Sequence, residues 1–219
     1  MSYTGTIGPN KIVLYAQYEP KLFTTKYREA FGRLQIIFTR MKWTHVAPGF
    51  FPFVGHDDET VFESNEIQNV TLWNPHTKDE YSIYKIIWYT QQEIEQALWK
   101  TFKEYNGELY GFLQILYFVR RYIWETKWIK KYFGWLPKLL GKPSDVRRWN
   151  NWFVGGTICS ELFHNLMSNL NEIRYHPGVD RTLKRWNKNN FHSGDGFTFI
   201  TELPEIFEFE YNKPGGVIE

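Results

Sequence analysis

Cys159 is the only cysteine in 219 residues, which excludes an internal disulfide, leaves the fold to packing, and fits a reducing compartment. Alanine is nearly as scarce, with Ala16, Ala30, Ala47 and Ala97 the only four. Scarce Ala beside abundant Asn, Lys, Ile, Phe and Tyr suits an AT-rich genome, bacterial or viral. An excess of one charge is missing too: Lys and Arg number 26 against 24 Asp and Glu, a net +2, too little to imply a nucleic-acid partner by itself. The longest strongly apolar run, "LYGFLQILYFV" from Leu109 to Val119, is about half a membrane span. The opening "MSYTGTIGPNKIVLY" has no basic stretch leading into an apolar one. No signal peptide or transmembrane segment is therefore expected, and the protein reads as cytoplasmic or virion-associated. Internal repeats and low-complexity tracts are missing as well.

Aromatic residues are plentiful, at 19% with ten Trp, and the length suits one domain with a large core. The first 33 residues carry no clear pattern. "RLQIIFTRMKWTHVAPGFF" reads as extended and ends at Pro48-Gly49, "ETVFESNE" and "IQNVTLW" read as short strands, and "EYSIYKIIWYT" alternates with Tyr81, Ile83, Lys85 and Ile87 on one face. "TQQEIEQALWKTFKEYNG" is the clearest helix: Thr90 as N-cap with Glu93 in a capping box, an apolar stripe of Ile94, Leu98, Phe102 and Tyr105, and a stop at Asn106-Gly107. A second helical region is expected over 108–133, another over 158–170, and a late strand or two in "GFTFITELPEIFEFEY". The order is mixed, and the expected class is α+β, a small antiparallel sheet packed with a cysteine-bearing helix.

That helix opens with "GGTICSELFHNL". A thiol is a nucleophile only as thiolate, and a helix N-terminus favours the thiolate through its unpaired N–H groups and dipole. The two glycines permit close approach of a bound carbonyl, and the Cys159 amide is placed to donate to an oxyanion. The plainer alternative is a small buried hydrophobe that begins a core helix. A nucleophile also needs a base, held by a third group. His164 lies on another face of the same helix. His176 and His192 follow the cysteine with few strands left to carry a base and its partner. His56 and His76 sit in polar turns with no metal-ligand spacing around them, so no metal and no cofactor is expected. His45 differs, because it lies inside the apolar extended segment "KWTHVAPGF". Glu63 follows in "TVFESNE", where a hairpin can bring it beside His45 to fix the imidazole. A strand histidine with one satisfied hydrogen bond is the competing reading.

The order "THVAPGF", "VFESNE", "NVTLW", a helix leading to "NGELYGFLQIL", then "TICSELFHNL" resembles the circularly permuted NlpC-type papain-like cysteine peptidases and amidases, to which lecithin:retinol acyltransferase is a distant relation. "CSE" opening a helix, the G-x-x-Y ahead of an apolar helix and the late "ELPEIFEF" carry the likeness, over residues 35 to 210. The resemblance implies a single permuted papain-like domain over 1–219, with Cys159 as nucleophile, His45 as base, Glu63 as orienter and Tyr110 near the substrate. It implies a thiol hydrolase acting on an amide bond, with a peptide, a peptidoglycan stem or an acyl-lipid as substrate. A lipid amidase or acyltransferase at a membrane surface, or a structural, virion-associated protein that keeps the fold without turnover, are the alternatives. Two departures from the family pattern are the missing Gly-Asp pair before Leu34 and an added stretch at about 120–152.

The added stretch contains "RRYIWETKWIKKYFGWLPKLLGK", residues 120–142, with seven Lys or Arg against one Glu, interleaved with six aromatics. It reads as a core-packed helix with a solvated basic side, as a membrane-surface or anionic-polymer contact, or as a protein interface. Base stacking has no accompanying motif, and no nucleic acid is expected.

Overall fold

The computed structural model describes residues 7–16, 33, 36, 42–51, 61–65, 69–73, 80–108, 127–135, 159–189 and 195–216. Its centre is β1 (Lys11–Ala16), whose sequence KIVLYA is apolar without alternation. Such a strand has no solvent side and needs cover on both faces. It receives β2 (His45–Pro48) on one edge and β5 (Glu80–Ile86) on the other, and β6 (Phe207–Lys213) pairs with β5, all antiparallel, in the order β2-β1-β5-β6. β3 (Val61–Asn65) and β4 (Asn69–Trp73) form a hairpin joined to the end of β2 by a bridge between Gly49 and Val61. The chain is therefore a mixed α/β protein with a small four-stranded antiparallel sheet, as the α+β reading expects.

The pleat sorts the side chains of β1 into two clusters. Ile12 and Leu14 join Val46, Phe50, Phe62 and the helices in the larger core, while Val13 and Tyr15 pack with Ile7, Ala47, Val61, Tyr81 and Ile83 on the other face. The larger core is closed by α1 (Gln91–Tyr105), α3 (Cys159–Ile173), α4 (Pro177–Asn189) and α5 (Asp195–Glu202). A short α2 (Lys127–Tyr132) lies in the basic stretch.

Local chemistry explains where the helices begin and meet. Thr90 and Glu93 form the expected capping box at the start of α1, and Asn106 ends it by donating its N–H to the Phe102 carbonyl at 2.9 Å, with Gly107 at φ 87° just beyond. α1 and α3 are joined inside the core by polar groups: Asn169 Nδ2 donates to Thr101 Oγ1 at 2.9 Å, and Thr101 donates to the Ala97 carbonyl at 2.9 Å. The turn between α3 and α4 is tied back to the start of α1. Arg174 donates to the Trp88 carbonyl, pairs with Glu93 at 3.1 Å and lies over the Trp88 and Tyr89 rings.

Three sequence expectations need correction. Of the described residues in the stretch 33–51 that reads as extended, His45–Pro48 form a strand, while Arg33 and Ile36 are helical. The first 33 residues, which show no pattern, contain the central strand; a strand buried on both faces does not alternate. "DGFTFITE" is helical: Phe199, Ile200 and Leu203 fall on the buried side, and Thr201 Oγ1 donates to the Phe197 carbonyl at 2.9 Å, the back-bond that lets Thr sit in a helix. Of the helix expected over 108–133, Lys127–Tyr132 is helical, while Glu108 and Phe133 at its two ends are not.

Two close approaches hold the sheet and helices together. A Cβ on Gly49 would lie 2.2 Å from the Gly8 carbonyl oxygen, and one on Gly196 would lie 3.0 Å from Val46. By contrast, a Cβ on Gly8 meets only Asn10 Oδ1 at 3.9 Å. Gly49→Ala is expected to lower unfolding stability by about 1–3 kcal/mol through overpacking, with Gly8→Ala within about 0.5 kcal/mol of the parent, both read from urea unfolding monitored by circular dichroism.

Candidate functional site

The candidate site is assembled from three elements. Cys159 is the first residue of α3, followed by Ser160 and Glu161 in the first turn. Leu162, Phe163, Leu166, Met167 and Leu170 are buried with it at helical spacing, so the apolar stripe of α3 dictates which way Cys159 faces. α3 packs on both β2 and β3, and β2 packs on β3. The strands that carry His45 and Glu63 are thus brought against the helix that begins at the thiol. Cys159 is 1% exposed and belongs to the larger core, with Val46 of β2 and Phe62 of β3.

At the level of side chains the three residues divide. In an antiparallel pair, directly opposed residues share a face. His45 is opposed to Tyr15 and Val46 to Leu14. Since Leu14 and Val46 lie in the core with α3, and Tyr15 lies in the cluster across the sheet, the half-buried His45 ring stands on the side away from α3. Its ring centroid is 5.6 Å from that of Tyr15, tilted by 38°. The start of β2 is irregular: the Tyr15 carbonyl accepts from the Thr44 N–H at 2.8 Å, one residue before its register partner, and from Thr44 Oγ1 at 3.4 Å. Glu63 is described by its backbone, opposed to Thr71 in the hairpin. It lies two residues along β3 from Val61, which bridges to Gly49. Continuing that antiparallel register sets Glu63 opposite Ala47, two residues from His45. Tyr110 and the "GGT" before the cysteine lie outside the described residues.

The chain matches no family model, no curated protein and no solved structure.

Two other histidines have structural employment. His164, 8% exposed on α3, bonds to the Leu183 backbone and the Asn165 side chain, and burial pulls its pKa down to about 4. It is neutral near pH 7. His176 caps α4, with Nδ1 accepting from the Gly178 and Val179 N–H groups at 3.1 and 3.3 Å, and its ring meets Trp88 edge-on at 4.9 Å. His56, His76 and His192 lie outside the described residues. Among the described residues no group of three or more His, Cys, Asp or Glu is gathered as metal ligands would be.

One tyrosine escapes the sequence reading. Tyr105, assigned there only to the apolar stripe of α1, lies beside the first two turns of α3. It is hydrogen-bonded to the Asn165 side chain, and burial followed by the nearby Glu161 charge pushes its pKa up to about 12. It is a neutral phenol by the helix that Cys159 opens. Its signal in the sequence is only a polar tip at the end of an apolar stripe.

The His164 shift has a definite sign. Its folded pKa lies below the ordinary 6.5, so the unfolded chain takes up the proton first. The contribution is complete above about pH 6.5 and is lost as pH falls toward 4. Moving from pH 7 to pH 5 should cost about 2 kcal/mol through this group. Urea unfolding of wild type and His164→Leu at both pH values checks it, with a flatter pH dependence expected in the variant.

Proposed function

We propose that this chain is a cysteine hydrolase of papain-like, permuted NlpC-type architecture, acting on an amide bond with Cys159 as nucleophile. The observation that carries the reading is the packing of the Cys159 helix on the two strands that hold His45 and Glu63, which are the elements the sequence resemblance requires. In the reaction, the Cys159 thiolate adds to the carbonyl carbon, and the oxyanion is held partly by backbone N–H groups at the helix start. With β2 shifted by one residue so that its ring faces α3, His45 takes the thiol proton and returns it to the leaving amine, with Glu63 holding the imidazole. Water then hydrolyses the thioester and frees the acid. The substrate class is a peptide, a peptidoglycan stem or an acyl-lipid, and Tyr110 is its proposed contact.

The β2 register sets the condition for this chemistry. A shift of one residue exchanges the two faces of a strand, and the irregular start of β2 at Thr44 is where such a shift would bring the His45 ring to the α3 side. The register as it stands favours a second reading: with His45 beside Tyr15 and Cys159 1% exposed, the protein keeps the fold for a structural or binding role without turnover.

The single thiol makes the two separable. Iodoacetamide labelling across pH 4–10, followed by mass, should be rapid well below the free-thiol pKa of about 8.5 and slow by tenfold or more in His45→Ala if the hydrolase reading holds. Labelling that is slow at every pH and indifferent to His45 would leave the non-catalytic reading.

A further inference from the structure

The excess of aromatic residues beside lysine in the added stretch finds no use in the Cys159 site. Among the described residues, Lys131, Tyr132, Phe133, Gly134 and Trp135 are all exposed in succession, and so is Lys127. Tyr132 is 67%, Phe133 46% and Trp135 63% exposed. Folding gains little from leaving the Tyr132 and Trp135 rings mostly in water three residues apart, and large exposed rings set this close together fit a contact surface. The reading of this stretch as a helix with its aromatic side against the core therefore fails for residues 132–135. Lys131 Nζ lies 5.2 Å from the Tyr132 ring centroid, so cation and ring are presented together.

The composition around the rings selects the occupant. Protein interfaces are enriched in aromatics and Arg but depleted in Lys. Here residues 120–142 hold five Lys, two Arg and one Glu, in a chain whose net charge is only +2; the positive charge is local. Tyr and Trp rings with lysines alongside suit the headgroup layer of a bilayer, where the ring body meets acyl chains, the polar tip stays wet and the ammonium meets anionic lipid. No helix of the described residues is long and apolar enough to cross a membrane, and the mix of rings and lysines suits a contact with its surface.

We infer that the 127–135 segment docks this protein onto an anionic lipid surface, with Tyr132 and Trp135 inserted at headgroup depth and Lys127 and Lys131 facing the lipid charge. The inference does not depend on the chemistry at Cys159. Each lysine near such a surface contributes about fivefold to binding, and the attraction is screened by salt.

The test is co-sedimentation of the full chain with vesicles of phosphatidylcholine alone or with 30% phosphatidylglycerol. Binding is expected only to the anionic vesicles and should weaken steeply between 0.05 and 0.5 M NaCl. Tyr132→Ser with Trp135→Ser should lower it by tenfold or more, and Lys127→Gln with Lys131→Gln by a comparable factor. Thermal unfolding of the variants should match the parent, since these side chains are exposed. No binding to anionic vesicles, or binding that both double variants leave unchanged, overturns the inference. So would salt-sensitive binding to single-stranded RNA with none to vesicles, which would assign the rings to base stacking.

Discussion

The structure depends on β1 having no face for water. Ile12, Val13 and Leu14 are each 0% exposed and Tyr15 is 1%, so the short run KIVLYA requires two separate apolar covers. The helices supply one, and the other forms around Ile7, Ala47, Val61, Tyr81 and Ile83. At about 25 cal/mol per Å² of apolar surface, a strand buried on both sides is worth far more per residue than one facing solvent. That explains how a chain without disulfides can organise strands from its N-terminal and C-terminal regions into one sheet. It also explains why β2 and β5 adopt fixed registers: a slip of either would bring a different set of side chains into both covers.

That constraint decides what surrounds the thiol. Cys159 begins a helix whose stripe of Leu162, Phe163, Leu166 and Leu170 is committed to the larger core, so its surroundings are fixed by packing that extends the length of α3. His45 sits at the first residue of a four-residue strand, where the pleat alone assigns its face. The close backbone contact at Gly49 anchors the far end of that strand, leaving the Thr44–His45 end as the place where the register is least regular. Chemistry at Cys159 therefore turns on one strand end rather than on the sheet as a whole.

Much of this was legible in the residues, and the illegible parts share a cause. α1 could be read to its caps because Thr90, Glu93 and Asn106 act locally and its stripe has a single period. The β3 and β4 strands were equally readable, as short β-branched runs divided by polar residues. β1 was not, because burial on both faces erases alternation, and α5 was mistaken for strand because Phe197, Phe199 and Thr198 favour strands locally while Gly196 against Val46 and the buried Phe199, Ile200 and Leu203 decide the outcome through tertiary contact. At the site, the pairing of elements was readable from their order. The face taken by His45 was not, since it depends on which residue of β2 opposes Tyr15.

The most direct test of the two-sided sheet is therefore the environment of the His45 ring in solution. In a labelled sample, nuclear Overhauser contacts from its ring protons are predicted to reach the Tyr15 ring, whose centroid is 5.6 Å away, while the Val46 methyls contact the residues of α3. Contacts from the His45 ring to the Cys159 β-protons, with Val46 turned toward Tyr15, would contradict this register and place the imidazole at the thiol.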